Sequence, residues 1–70
     1  MKHFLFDVDG TLTPARSKID KDFKKFFADW TTFQKKEGNE VFLVTGSNKE
    51  KTVEQIGIDL YRHMNDVYQT

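Results

Sequence analysis

The chain has no cysteine, so a disulfide, a thiolate metal site and a cysteine redox centre are all excluded. Its one proline, Pro14, and four glycines leave no material for a polyproline stretch or a flexible low-complexity linker. No apolar run is long enough to span a bilayer. The opening Met1-Lys2-His3-Phe4-Leu5-Phe6-Asp7 does not read as a signal peptide, because an acid interrupts the apolar stretch almost at once. Cytoplasmic residence is the expectation. Charge of one sign is also lacking: 11 basic and 11 acidic residues give a formal net charge of zero, which offers no electrostatic case for nucleic acid or an anionic membrane. Aromatics, by contrast, are plentiful at 14%, mostly Phe. Seventy residues make one small domain, and a chain of that size buries only about 60% of its unfolded surface, so every apolar side chain counts.

The apolar pattern alternates between strand-like and helix-like segments. Lys2 to Asp7 reads as a short central strand, and Val8 to Ser17 as a loop, since Pro14 cannot sit in a helix interior. Asp20 to Lys36 reads as an amphipathic helix. Phe23, Phe26, Phe27, Trp30 and Phe33 recur at three- and four-residue steps on one stripe, expected to be core, with the lysines largely off it. Asp20 suits the N-cap, Lys35 and Lys36 the last turn, and Gly38 the stop, while Thr31 and Thr32 weaken the pattern. Glu40 to Thr45 is a second strand whose unbroken Val-Phe-Leu-Val run predicts burial on both faces, as in a parallel sheet. Ser47 and Glu50 have capping-box spacing for a helix from about Lys49 to Ile56, ended by Gly57. Ile58 to Met64 suits a further helical turn, and a third strand starts within Asp66 to Gln69. This order predicts an α/β fold with a parallel sheet.

Two acids stand where the first strand leaves its run: Asp7-Val8-Asp9-Gly10-Thr11. Residues two apart in a strand share a face, so Asp7 and Asp9 can be aimed at one pocket, and Gly10 allows a sharp turn. Such a pair suits Mg²⁺-assisted phosphoryl transfer, one carboxylate attacking phosphorus and the other moving a proton. The plainer reading is a turn whose acids cap a neighbouring helix. Thr45-Gly46-Ser47, at the end of the second strand, suits a phosphate cradle, since hydroxyls and free N–H groups before a helix bind anions. If the two strands are parallel neighbours, Thr45 and Asp7 lie at the same end of the sheet, where α/β ligands bind. Lys49 and Lys51 read as a solvated helix face, and His3 and His63 as structural.

Asp7-Val8-Asp9-Gly10-Thr11 matches the Asp-x-Asp-Gly-Thr string of the haloacid dehalogenase-like (HAD) hydrolases. The longer run through Leu12-Thr13-Pro14-Ala15-Arg16, followed by Lys18-Ile19-Asp20, resembles the start of the eukaryotic-type phosphomannomutases and is similar to related sugar-phosphate phosphatases. The resemblance covers nearly all of the chain and weakens after about Gly57. It implies a Rossmann-like HAD core and a small phosphorylated substrate such as a sugar phosphate. Asp7 would be the nucleophile and Asp9 the general acid/base. Mg²⁺ would sit on the Asp7 carboxylate and the Asp9 backbone carbonyl. Gly10, Thr11, Thr45, Gly46 and Arg16 would lie against substrate phosphate. The phosphomannomutases usually carry Gly-Gly-Ser where this chain has Thr45-Gly46-Ser47, and Thr there is common in the phosphatases, which favours a phosphatase over a phosphohexomutase.

The family's later Lys and acidic Mg²⁺ cluster have no recognisable counterpart, since Asp59 and Asp66 lack the paired spacing, and no cap domain is present. Residues 1–70 therefore read as a partial HAD-like core: a fragment, a truncated product or part of an oligomer. A catalytically incomplete phosphate- or metal-binding module stays open beside the enzyme. So does an assembly piece, because the open edge of so short a sheet invites pairing with another copy or a partner chain.

Overall fold

The computed structural model describes residues 1–14 and 17–70 and is α/β, with β1 (His3–Asp7), α1 (Lys21–Lys36), β2 (Glu40–Thr45), α2 (Lys49–Ile56), α3 (Ile58–His63) and β3 (Asp66–Gln69). The three strands form one parallel sheet in the order β1-β2-β3, which is the Rossmann-like alternation expected from the sequence. Leu5 lies opposite Phe42, Leu43 opposite Val67. One expectation is corrected here: β1 is not central but an edge, pairing with β2 alone among the described residues.

α1 starts where Asp20, in extended conformation, accepts a hydrogen bond from Phe23 N at 3.0 Å. It stops at Glu37, after which Gly38 takes a positive φ of 82°. Thr31 and Thr32 do not break it. Thr31 is fully buried, and Thr32 Oγ1 turns back to the Ala28 carbonyl at 3.0 Å and lies 2.9 Å from His63 Nε2. α2 begins where predicted, but its N-cap is Asn48, whose Oδ1 accepts from Lys51 N at 2.8 Å, and not Ser47. The side chain directly before the first helical residue reaches the N3 amide, and that residue is Asn48.

With consecutive strands as neighbours, crossovers of one hand lay their helices on one side. The core follows: Phe4, Phe6, Val41, Leu43 and Val67 point to the side where Phe27, Ile56, Leu60 and Met64 pack. The opposite face of the sheet carries His3, Leu5, Phe42, Val44 and Tyr68, none of them in the core cluster. β2 alternates between half-buried and buried along its length, so the expected burial on both faces holds for one face only. The aromatic stripe of α1 is corrected in the same way. Phe27 is buried and Trp30 half-buried against Phe4 and Phe6, but Phe26 is 64% and Phe33 58% exposed, and Phe23 lies at the surface too. A stripe that spreads wider than the sheet it covers leaves its flanks in solvent. No described helix is long and apolar enough to cross a membrane.

Candidate active site

The turn after β1 is built around one carbonyl. Val8, fully buried, donates its N–H to Val44 O at 3.0 Å, which extends the strand ladder by one residue. Its C=O then accepts from the N–H groups of Leu12 and Thr13, both at 3.0 Å, and from Thr13 Oγ1 at 3.3 Å. Gly10 closes the loop by donating to Thr13 O at 2.7 Å, with a φ of 81° that L residues rarely adopt. A Cβ at Gly10 would meet nothing within 4 Å, so backbone conformation and not space demands glycine there. Leu12 and Thr13 are buried beneath, while Asp7, Asp9, Gly10 and Thr11 stay exposed above them.

Asp7 ends β1 opposite Val44, and Thr45 ends β2 one residue further on. The two expected halves of the site therefore emerge side by side at the carboxyl end of a parallel sheet. Thr45 is 3% exposed, and its Oγ1 accepts from Ser47 N at 3.1 Å and lies 3.4 Å from Thr52 Oγ1. Its hydroxyl thus shapes the β2–α2 turn, and exposed Gly46 is the outward part of that turn. Arg16 lies outside the described residues.

One participant carried no sequence signal. Gln55, on α2 and 5% exposed, donates from Nε2 to Asp9 Oδ1 at 2.7 Å across 46 residues of chain. Its Oε1 is buried without a hydrogen-bond partner. A buried orphan acceptor costs about 1–3 kcal/mol, so the amide is an expensive way to fill that space, and what it does is hold the Asp9 carboxylate. A polar residue on the buried side of a short helix looks like a surface residue in sequence; only the return of α2 over the β1 turn gives it meaning.

Lys18, Lys51 and Glu54 line a pocket beside Gln55, while other charged groups are engaged elsewhere. His3 pairs with Glu40 at 3.1 Å and stacks on Phe42, and Lys49 sits over the Tyr61 ring at 5.7 Å. Asp59 is bound by Lys24 at 2.8 Å, and that hydrogen bond holds its carboxyl below the ordinary value. Among the described residues no group of three or more His, Asp or Glu is placed to hold a metal ion. Asp7 and Asp9 nevertheless supply hard oxygen donors of the kind Mg²⁺ takes, and that ion commonly uses one or two carboxylates and fills its shell with water and substrate phosphate. The donors fit in kind and fall short of a closed all-protein cage.

Fold and turn together define a Rossmann-like α/β core with an acid pair at its carboxyl end. No family model matches the chain. It is 46% identical over 54 residues to phosphomannomutase 1 of Mus musculus and equally to phosphomannomutase 1 of Homo sapiens, a match that takes in 76% of this chain and 18% of each relative. The chain is thus related to the phosphomannomutases, a HAD-like relationship, and spans less than a fifth of the length of these curated relatives.

Proposed function

We propose that this chain carries the nucleophile half of a phosphoryl-transfer site acting on a small phosphorylated metabolite such as a sugar phosphate, with hydrolysis as the outcome. The observation that supports it most is the acid pair held on one rigid turn, Asp7 closing β1 and Asp9 gripped by Gln55 at 2.7 Å. Asp7 attacks phosphorus and forms an acyl phosphate as the ester oxygen leaves. Asp9 gives that oxygen its proton, then takes one from the water that cleaves the acyl phosphate. Gly46 and the turn shaped by Thr45 offer N–H groups to the phosphate, Gly10 and Thr11 line it with their own N–H groups bonded inside the β1 turn, and Arg16 offers a guanidinium to a second anionic or hydroxyl group. Mg²⁺ on the Asp7 carboxylate and the Asp9 carbonyl would supply charge neutralisation between carboxylate and phosphate.

A second reading, transfer between two positions of one hexose phosphate, is favoured by the names of the relatives, both phosphomannomutases. Phosphate release from hexose phosphates and other small esters, measured with and without Mg²⁺, tests the proposal. Release should depend on the metal and fall at least about a thousandfold in Asp7→Asn, the scale of losing a catalytic nucleophile. Release that survives in Asp7→Asn overturns the nucleophile assignment. Isomerised ester without free phosphate would select the second reading.

A further inference from the structure

Gln55 touches the segment between β1 and α1 at three points. Its Nε2 donates to Asp9 Oδ1 at 2.7 Å and, at longer range, to Ser17 O at 3.5 Å. Its backbone carbonyl accepts from Ile19 N at 2.8 Å. One residue of α2 thus clasps both ends of the stretch from Asp9 to Ile19. The amide fits only one way round. A carboxylate and a carbonyl are both acceptors, so the nitrogen must face them and Oε1 must face away. There Oε1 is buried without a hydrogen-bond partner. An apolar side chain of similar size would fill the space without an orphaned acceptor. Packing alone therefore gives no reason for an amide here, and the reason has to lie in the bond to Asp9.

We propose that Gln55 is a positioning residue for Asp9: it fixes the rotation of the carboxyl group and assigns the mobile proton to Oδ2. This role rests on Asp9 acting as the general acid and base of the phosphoryl transfer proposed above, and names what aims it. The last torsion of an aspartate is soft and close to two-fold, so an unheld carboxyl presents either oxygen to the ester. Donation from Nε2 removes that freedom. In a protonated carboxyl the carbonyl oxygen accepts better than the hydroxyl oxygen, so an N–H on Oδ1 favours the form with the proton on Oδ2. Oδ2 gives that proton to the ester oxygen as its bond to phosphorus breaks and Asp7 takes the phosphoryl group. When water cleaves the acyl phosphate, Oδ2 takes a proton back. The neutral amide donates to Oδ1 in both protonation states, so the aim is kept through the cycle. Gln55 is 5% exposed and Asp9 exposed, so the amide meets the carboxylate from the protein side.

Gln55→Leu removes the donor and the orphaned acceptor together. It should melt no lower than wild type, because the unpartnered group is lost with the bond. First-turnover rates with Mg²⁺ on two saturating esters read the aim of the acid. A hexose phosphate, whose leaving oxygen needs a proton, should react about ten- to a hundredfold more slowly, part of what a positioned acid supplies. p-Nitrophenyl phosphate, whose phenolate leaves without one, should stay within about threefold. In wild type the Gln55 side-chain N–H protons should exchange slowly, and faster in Asp9→Ala. Equal slowing on both esters with a lower melting point would make the amide a structural prop and overturn the proposal. So would an unchanged rate on the hexose phosphate, or side-chain exchange as fast in wild type as in Asp9→Ala. Each of those results leaves the phosphoryl-transfer reading standing. A wild-type chain that turns over neither ester would overturn that reading, and this role with it.

Discussion

On one face of the sheet Val41, Leu43 and Thr45 are sealed beneath helices; on the other, Phe42 and Val44, no less apolar, are half-buried, while Leu5 and Tyr68 stand in solvent. The residues of β2 alternate between these two fates, although nothing in Val-Phe-Leu-Val distinguishes them. What separates the faces is topology. Three strands laid down in consecutive order place their helices on one side, and the other side keeps whatever hydrophobicity it was given. Stability thereby rests on the helix side.

The sharpest way to break that division is to truncate one leucine from each face. Leu43→Ala leaves a cavity under the helices and should cost about 2–5 kcal/mol, a large part of the stability of so small a domain. Leu5→Ala should cost less than about 0.5 kcal/mol in dilute solution. Urea melts of the two variants at micromolar concentration decide it; equal losses would mean that the open face is covered in solution.

A smaller effect is expected within the helix layer. Gly57 ends α2 and precedes α3 with φ 87°, and the Lys24 ammonium and the Asp59 carboxylate lie where a Cβ would go. Gly57→Ala should therefore destabilise by about 1–3 kcal/mol through strain and displacement of that pair, read from the shift of the thermal midpoint. A neutral result would show that the two helices swing independently of the sheet.

The smallest effect is electrostatic. The folded-state carboxyl of Asp59 sits below its ordinary value of 3.8, chiefly through the Lys24 hydrogen bond. Its contribution is present above that value and is lost as pH falls through the lower, folded one. Asp59→Asn should remove this loss from the acid limb of a stability–pH profile and change little at neutral pH. A clear loss at pH 7 would mean the pair clamps α1 to α3 more firmly than an exposed ion pair normally does.

Much of this was readable beforehand, for local reasons. Asp20, Gly38 and Gly57 announce helix ends through chemistry confined to a few residues, so α1, β2 and α2 fall where the sequence places them. The acid pair and Thr45 were legible because strand exits in a parallel sheet share one end. Their roles in catalysis still await the measurement on Asp7→Asn. What escaped depends on distant partners. Gln55 acquires its role only when α2 returns over the β1 turn, and Phe26 and Phe33 repeat with helical period whether or not anything covers them. The edge position of β1 escaped for a different reason: a continuous apolar run looks the same at a sheet margin as at its centre.

Val8 gives the acid motif a meaning its spelling hides. Written as a pattern, the letter between Asp7 and Asp9 is a wildcard, open to any residue. In the molecule it is fully buried, and its carbonyl is the post to which Leu12 and Thr13 are tied. Variation there is therefore filtered by burial, which admits compact apolar side chains and excludes charge, and not by reactivity. A library randomised at this one codon would be depleted of large and polar residues before any selection for chemistry began.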